Sequence, residues 1–180
     1  MVNEKLHSFP LTQPLPDDPA KPLYINTNDT INRNSTVAVT VFQGVTQPEK
    51  ASLATMWVIL GQPIASVAFP LWVKAAEVPP LLSAAPTAPL NDLAKALLNF
   101  LYPDKRGHMP QYLNVTRLRT YGGEGVLTKL LRVEKEIIER AERKLVDWEK
   151  TSPTSKEMAD FENSLAVWLL DTLKASFPLS

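Results

Sequence analysis

The sequence predicts an α+β domain, with antiparallel strands first and long helices after them, gathered on one side of a sheet. Three observations carry that reading. Residues 35–45 and 54–73 are rich in β-branched and aromatic side chains and hold no charge. After Pro89 the apolar spacing changes to that of helices. The prolines crowd into the first 110 residues, which disfavours long helices there.

The totals agree with one soluble globular domain. A chain of 180 residues is long enough to bury a core, and 44% hydrophobic with 21% charged residues is ordinary composition. Lys+Arg and Asp+Glu balance at 19 each, so there is no bulk field to attract nucleic acid or an anionic membrane. The absence of cysteine excludes disulfides, thiolate metal sites and a cysteine nucleophile on this chain. MVNEKLHSFPL lacks the basic and apolar regions of a signal peptide, and the compartment stays open.

Residues 1–22 read as a proline-rich arm or loop, because each proline fixes its own φ and biases its neighbour to extended backbone. The single α+β domain then runs over 23–180. NTNDTINRN (26–34) is Asn-rich and reads as turns. STVAVTVFQGV (35–45) is a strand, and TQPEK (46–50) a turn. ATMWVILGQPIASVAFPLWV (54–73) poses a choice between a membrane span and a core element. A span needs about 20 apolar residues in one helix. Gly61-Gln62-Pro63 interrupts the middle and Pro70 the second half, so strands at about 53–60 and 64–73 around a tight turn are expected. Neither alternates apolar with polar residues, so both faces should be covered.

Leu90, Leu93, Ala94, Leu97, Leu98 and Leu101 fall on one face of a helix over about 90–101. YLNVTRLRTY (112–121) is a short strand or the lead into the next helix. Leu130, Ile137, Ala141, Leu145 and Trp148 mark the apolar face of a helix over about 125–150, with Glu139 and Arg143 spaced for an i,i+4 pair. Thr151-Ser152-Pro153 ends it. Thr154 and Glu157 form a capping box that opens a last helix over about 154–176, faced by Met158, Phe161, Leu165, Trp168, Leu169 and Thr172. The short connection makes the two long helices antiparallel neighbours.

Few residues suggest chemistry. His7 and His108 are far apart in expected loops with no metal-ligand spacing, so no metal is expected. Tyr121-Gly-Gly-Glu-Gly125 is not a phosphate-binding fingerprint and reads as a loop before a helix. The glycosylation patterns at Asn28, Asn34 and Asn114 are coincidences of an Asn/Thr-rich chain. Trp57, Phe69 and Trp72 read first as core, and second as one apolar wall of a substrate pocket.

RNSTVAVTVF (33–42), ATMWVILGQPIASVAFPLWV (54–73) and PPLL (79–82) together resemble the C-terminal part of certain N-terminal-nucleophile (Ntn) hydrolases. The group is the linear amide C–N hydrolases related to acyl-coenzyme A:6-aminopenicillanic acid acyltransferase, with a more distant similarity to choloylglycine hydrolases. The likeness covers about 23–150, and T-M-W-x-x-L-G-x-P followed by S-V-A-x-P-x-W is its most specific part. It implies an αββα sandwich in which an N-terminal cysteine attacks a linear amide, its own α-amino group acting as base. It also implies an oxyanion donor from the asparagine of a Thr-Asn pair, here Thr27-Asn28, and a loosely matched arginine, Arg33. No cofactor is implied, and the resemblance leaves export open.

The chain departs from that pattern in having no cysteine. Met1-Val2 supplies no nucleophile, and Ser8 or Thr12 would need a cleavage that their proline-rich context does not favour. Two readings follow. The chain is the C-terminal portion of an amide hydrolase or acyltransferase, completed by a missing segment that brings the nucleophile. Alternatively it is a catalytically inactive binding or interaction domain of that fold. Its partners would be a small-molecule amide in the first case, and a missing half or a second copy as the associating chain in either.

Overall fold

The computed structural model describes residues 21–28, 30, 32–33, 35–103, 112–120 and 124–178. The proline-rich arm, His7, Ser8, Thr12, Asn34, His108 and Tyr121–Gly123 lie outside the described residues, apart from Lys21 and Pro22 at the end of the arm. The architecture is mixed α+β with antiparallel sheets. Five strands are described, β1 (Tyr24–Asn26), β2 (Ala38–Gln43), β3 (Thr55–Leu60), β4 (Ala68–Trp72) and β5 (Tyr112–Asn114). With them run the helices α1 (Pro80–Ser83), α2 (Pro89–Leu101), α3 (Val115–Leu118), α4 (Val126–Thr151) and α5 (Ser155–Ser176).

β2, β3 and β4 form an antiparallel meander, with Val41 opposite Trp57 and Trp57 opposite Pro70. β1 and β5 form a separate two-stranded sheet, Ile25 opposite Leu113. Residues 112–121 combine both expected forms, since β5 runs directly into α3. Asn114 is buried and accepts from the Arg117 N–H at 3.1 Å, capping α3. That side chain is committed to the fold, which accounts for the asparagine without glycosylation.

The strands are shorter than their apolar runs. Pro48–Leu53 is a 3₁₀ turn, so β3 begins at Thr55 rather than 53. Gly61 turns the chain at φ 81°, and Pro63–Ala65 makes a second 3₁₀ turn, so β4 begins at Ala68 rather than 64. Ile64 and Ala65 are apolar because the turn is buried, and Pro63 suits its first position. The stretch 54–73 is therefore strand–turn–strand. No described helix is long and apolar enough to cross a membrane.

The long helices keep their expected limits. Ser152 in left-handed conformation followed by Pro153 stops α4, and Thr154 with Glu157 forms the capping box of α5. Trp148 packs edge-on to Phe161 at 5.6 Å near the connection. At the far end Lys129 Nζ donates to the Ser176 carbonyl at 3.2 Å, so the pair is antiparallel. Glu139 pairs with Lys135 at 3.8 Å rather than with Arg143, which turns to Glu136. Gly125, the residue before α4, is buried against α3, where any Cβ would collide with the Leu118 carbonyl. This close approach, not anion binding, explains the glycine.

The helices contact both faces of the meander, unlike the one-sided packing expected from chain order. Val58, Leu60 and Phe69 share one face by alternation and meet Leu90 and Leu97 of α2 and Leu169 of α5. Trp57 and Trp72 share the opposite face. There Trp72 meets Trp148 of α4 at 5.0 Å and Phe161 of α5 at 5.9 Å. Chain order cannot report this, because two antiparallel helices straddle the β4 edge and reach past it on either side.

Candidate functional site

The loop 26–36 carries the two residues singled out as catalytic. Thr30 bonds back to the Thr27 carbonyl through its N–H at 3.1 Å and its hydroxyl at 2.8 Å, which closes a turn. Asn28 sits exposed on that turn, its N–H donating to Asn26 Oδ1 at 2.9 Å. Arg33 is exposed too, with Nε donating to the Thr30 carbonyl at 3.3 Å. Asn28 and Arg33 thus share one polar turn held by local bonds, as asparagine-rich segments do.

A buried polar cluster fastens this loop to the core. Thr27 Oγ1 lies 3.1 Å from Tyr102 Oη, and Gln62 Nε2 donates to Tyr102 Oη at 2.8 Å and to the Asn32 carbonyl at 2.6 Å. Burial raises the Tyr102 phenol above its ordinary value, with the Gln62 and Thr27 bonds opposing the rise. The cluster is neutral at physiological pH. It explains the buried Gln62 of the Gly61-Gln62-Pro63 turn as an anchor for the loop.

The three expected pocket residues do not form one wall. Trp57 and Trp72 are on one face of the meander and Phe69 on the other, because Phe69 lies between Ala68 and Pro70 in the strand alternation. Trp57 Nε1 donates to Gln43 Oε1 at 2.9 Å, a diagonal cross-strand contact. Nor does Trp72 meet the polar turn. Gln62 holds that turn near the Leu60 end of β3, whereas Trp72 pairs with Thr55 at its other end. Five residues of strand, roughly 17 Å, separate those ends.

The cavity beside Phe69 holds about 20 Å³ and is lined by apolar side chains. Ligand pockets run about 300–1,000 Å³, so this space admits no substrate. Two larger hollows among the described residues are surface grooves. One of about 370 Å³ runs between α4 and α5 past Arg140, Lys144 and Phe161, and another of about 320 Å³ lies under residues 43–47 beside α4. Among the described residues no group of three His, Asp or Glu could hold a metal ion.

The most unusual electrostatic feature lies at the β4 edge. Alternation makes Ala68, Pro70 and Trp72 point their backbone away from β3. The Ala68 N–H donates to Glu134 Oε2 of α4 at 2.9 Å, and the Trp72 N–H to Glu162 Oε1 of α5 at 2.8 Å. Pro70 between them has no N–H to satisfy. Every outward donor of this edge is therefore removed or capped. Glu162 is completely buried, and neither its Oε2 nor Trp72 Nε1 has a partner. Burial pushes the Glu162 carboxyl up from 4.5 to about 7, against the pull of the Trp72 N–H, while Glu77 adds to the rise. A sequence signal for Glu162 existed. It sits four residues after Met158 and three before Leu165, on the apolar face of the last helix.

β2, the opposite edge, is open. Val41 is 48% and Phe42 76% exposed, and Val37 just before the strand is 82% exposed. The Gly61 N–H bonds to the Val37 carbonyl, which sets the phase: 37, 39, 41 and 43 face β3, and Ala38, Thr40 and Phe42 present their backbone outward. These three have no partner among the described residues. No protein-family model, no curated protein and no solved structure matches this chain.

Proposed function

We propose that this chain is a non-catalytic α+β interaction domain that docks a partner along β2. The observation that carries the reading is the contrast between the two edges of one sheet, one capped by carboxylates and proline, the other open and apolar. The chemistry of the remaining residues agrees. Asn28 and Arg33 stand on an exposed turn held by local bonds, and the apolar cavity beside Phe69 is too small for a substrate. An open strand offers main-chain hydrogen bonds for affinity and side chains on alternate faces for selectivity.

The test is apolar-dye binding by the purified chain, read beside its mass in solution. An open docking strand gives either dye binding or self-association, and Val41→Lys with Phe42→Lys abolishes it. A dye-silent monomer unaffected by those substitutions overturns the reading.

The same open strand also favours a second reading, the C-terminal portion of a linear amide hydrolase whose αββα sandwich continues across β2. Val37, Val41 and Phe42 stand open where a neighbouring strand would add. In it Asn28 supplies the oxyanion donor and a cysteine comes from the missing segment. Co-expression with a cysteine-bearing segment should then yield amide hydrolysis that Asn28→Ala lowers at least tenfold. A soluble complex with no turnover counts against it.

A further inference from the structure

Resting on the interaction reading, we infer that the occupant of the β2 edge is a second copy of this chain, paired antiparallel about a two-fold axis at Thr40.

The argument begins with which groups are free. Ala38, Thr40 and Phe42 turn their N–H and C=O away from β3. Two antiparallel copies can satisfy them only in a register that sets outward residues opposite outward residues. With the axis at Thr40, Thr40 faces its own symmetry mate and Ala38 faces Phe42 of the other copy. All three outward residues are then used in both copies, giving about six inter-chain bonds, two per hydrogen-bonded pair. Moving the axis to Val39 or Val41 keeps outward groups opposite outward ones but pairs only two of the three within β2, and a half-residue move sets outward against inward and loses them all.

The side chains fit the same register. Thr40 meets Thr40, a favourable cross-strand pair. The small Ala38 meets the large Phe42, and Val39 meets Val41 in the non-hydrogen-bonded positions. A two-fold axis sets like against like, so a charged strand would repel itself. Residues 35–48 contain no charge at all, and this neutral edge complements itself. Natural edges are usually blunted by lysine, proline or a covering element. β2 has none of these over 38–43, although the far edge of the same sheet has proline and two glutamates. The segment after β2 folds away from the edge, with Lys50 reaching Glu149 of α4 at 3.7 Å. The product is one six-stranded antiparallel sheet whose outer edges are the two capped β4 strands.

The test uses the lack of native cysteine. Thr40→Cys, mildly oxidised, forms an inter-chain disulfide, because hydrogen-bonded antiparallel partners lie about 5.5 Å apart, within disulfide range. Val37→Cys, also exposed but about 20 Å from its mate in this register, does not. Light scattering on the unmodified chain reports a dimer whose dissociation constant is insensitive to salt, and Thr40→Lys weakens it at least tenfold. A dimer that cross-links through Val37→Cys but not Thr40→Cys overturns the register and with it the inference. A monomer that binds apolar dye overturns the second copy while leaving a docking strand for another partner. A dye-silent monomer overturns both.

Discussion

The two edges of the meander differ in chemistry, although they belong to the same three strands. β4 is buried at four of its five positions and its outward N–H groups are capped or, at Pro70, absent. β2 is exposed at five of its six positions and its outward backbone is open. An unpaired edge is a template for association, and closing it takes explicit features. Here one edge has them and the other does not. The closure is also built from distant parts of the chain, since Glu134 and Glu162 come from two helices far along the sequence from β4.

The largest expected effect falls on the cover of β4. Trp148→Ala removes the ring that stands edge-on to Trp72 and opens a cavity beside Phe161, and should cost about 3–5 kcal/mol in urea unfolding. Next comes the proton on Glu162. Its carboxyl titrates near 7 in the folded chain against 4.5 in the ordinary state. Both states are neutral below about 4.5, so its burial carries no charge penalty there. As pH rises from 4.5 to 7 the unfolded chain ionises first, and stability should fall by about 3 kcal/mol, then level off. Glu162→Gln keeps an acceptor for the Trp72 N–H and should flatten that slope. Unchanged pH dependence in Glu162→Gln would remove Glu162 from the account.

A smaller effect is expected at Glu134, which is partly exposed. Glu134→Ala exchanges the bond from Ala68 for water and should cost about 1 kcal/mol. The smallest belongs to the open edge. Phe42→Ser should change the unfolding free energy of the monomer by less than about 0.5 kcal/mol while reducing association and dye binding. If Phe42→Ser destabilised the chain as much as Trp148→Ala, the contrast between the edges would collapse.

Much of the fold was legible in the residues. The six-position apolar face of α2 is helical throughout and buried or half-buried, and the Thr154–Glu157 box opens α5 where its spacing says. Such features are local, made by residues within a turn or two of one another. Strand ends were less legible, because Ile64 and Ala65 are as apolar in a buried turn as in a strand. β1 gave no signal, since Tyr24-Ile25-Asn26 takes its strand form by pairing with β5, far along the chain. The candidate site was least legible. Asn28 and Arg33 do share a turn, but Trp57 and Trp72 are turned away from Phe69 by strand alternation, once the strand limits are known.

By itself the sequence determined the class, the meander's three strands, the long helices and their stops, because propensity, periodicity and capping act within a few residues. Only the tertiary structure decided which strand edge is sealed and which is open. That choice depends on where Glu134 and Glu162 arrive after the helices pack, and a buried carboxylate and a solvated one are the same letter until then.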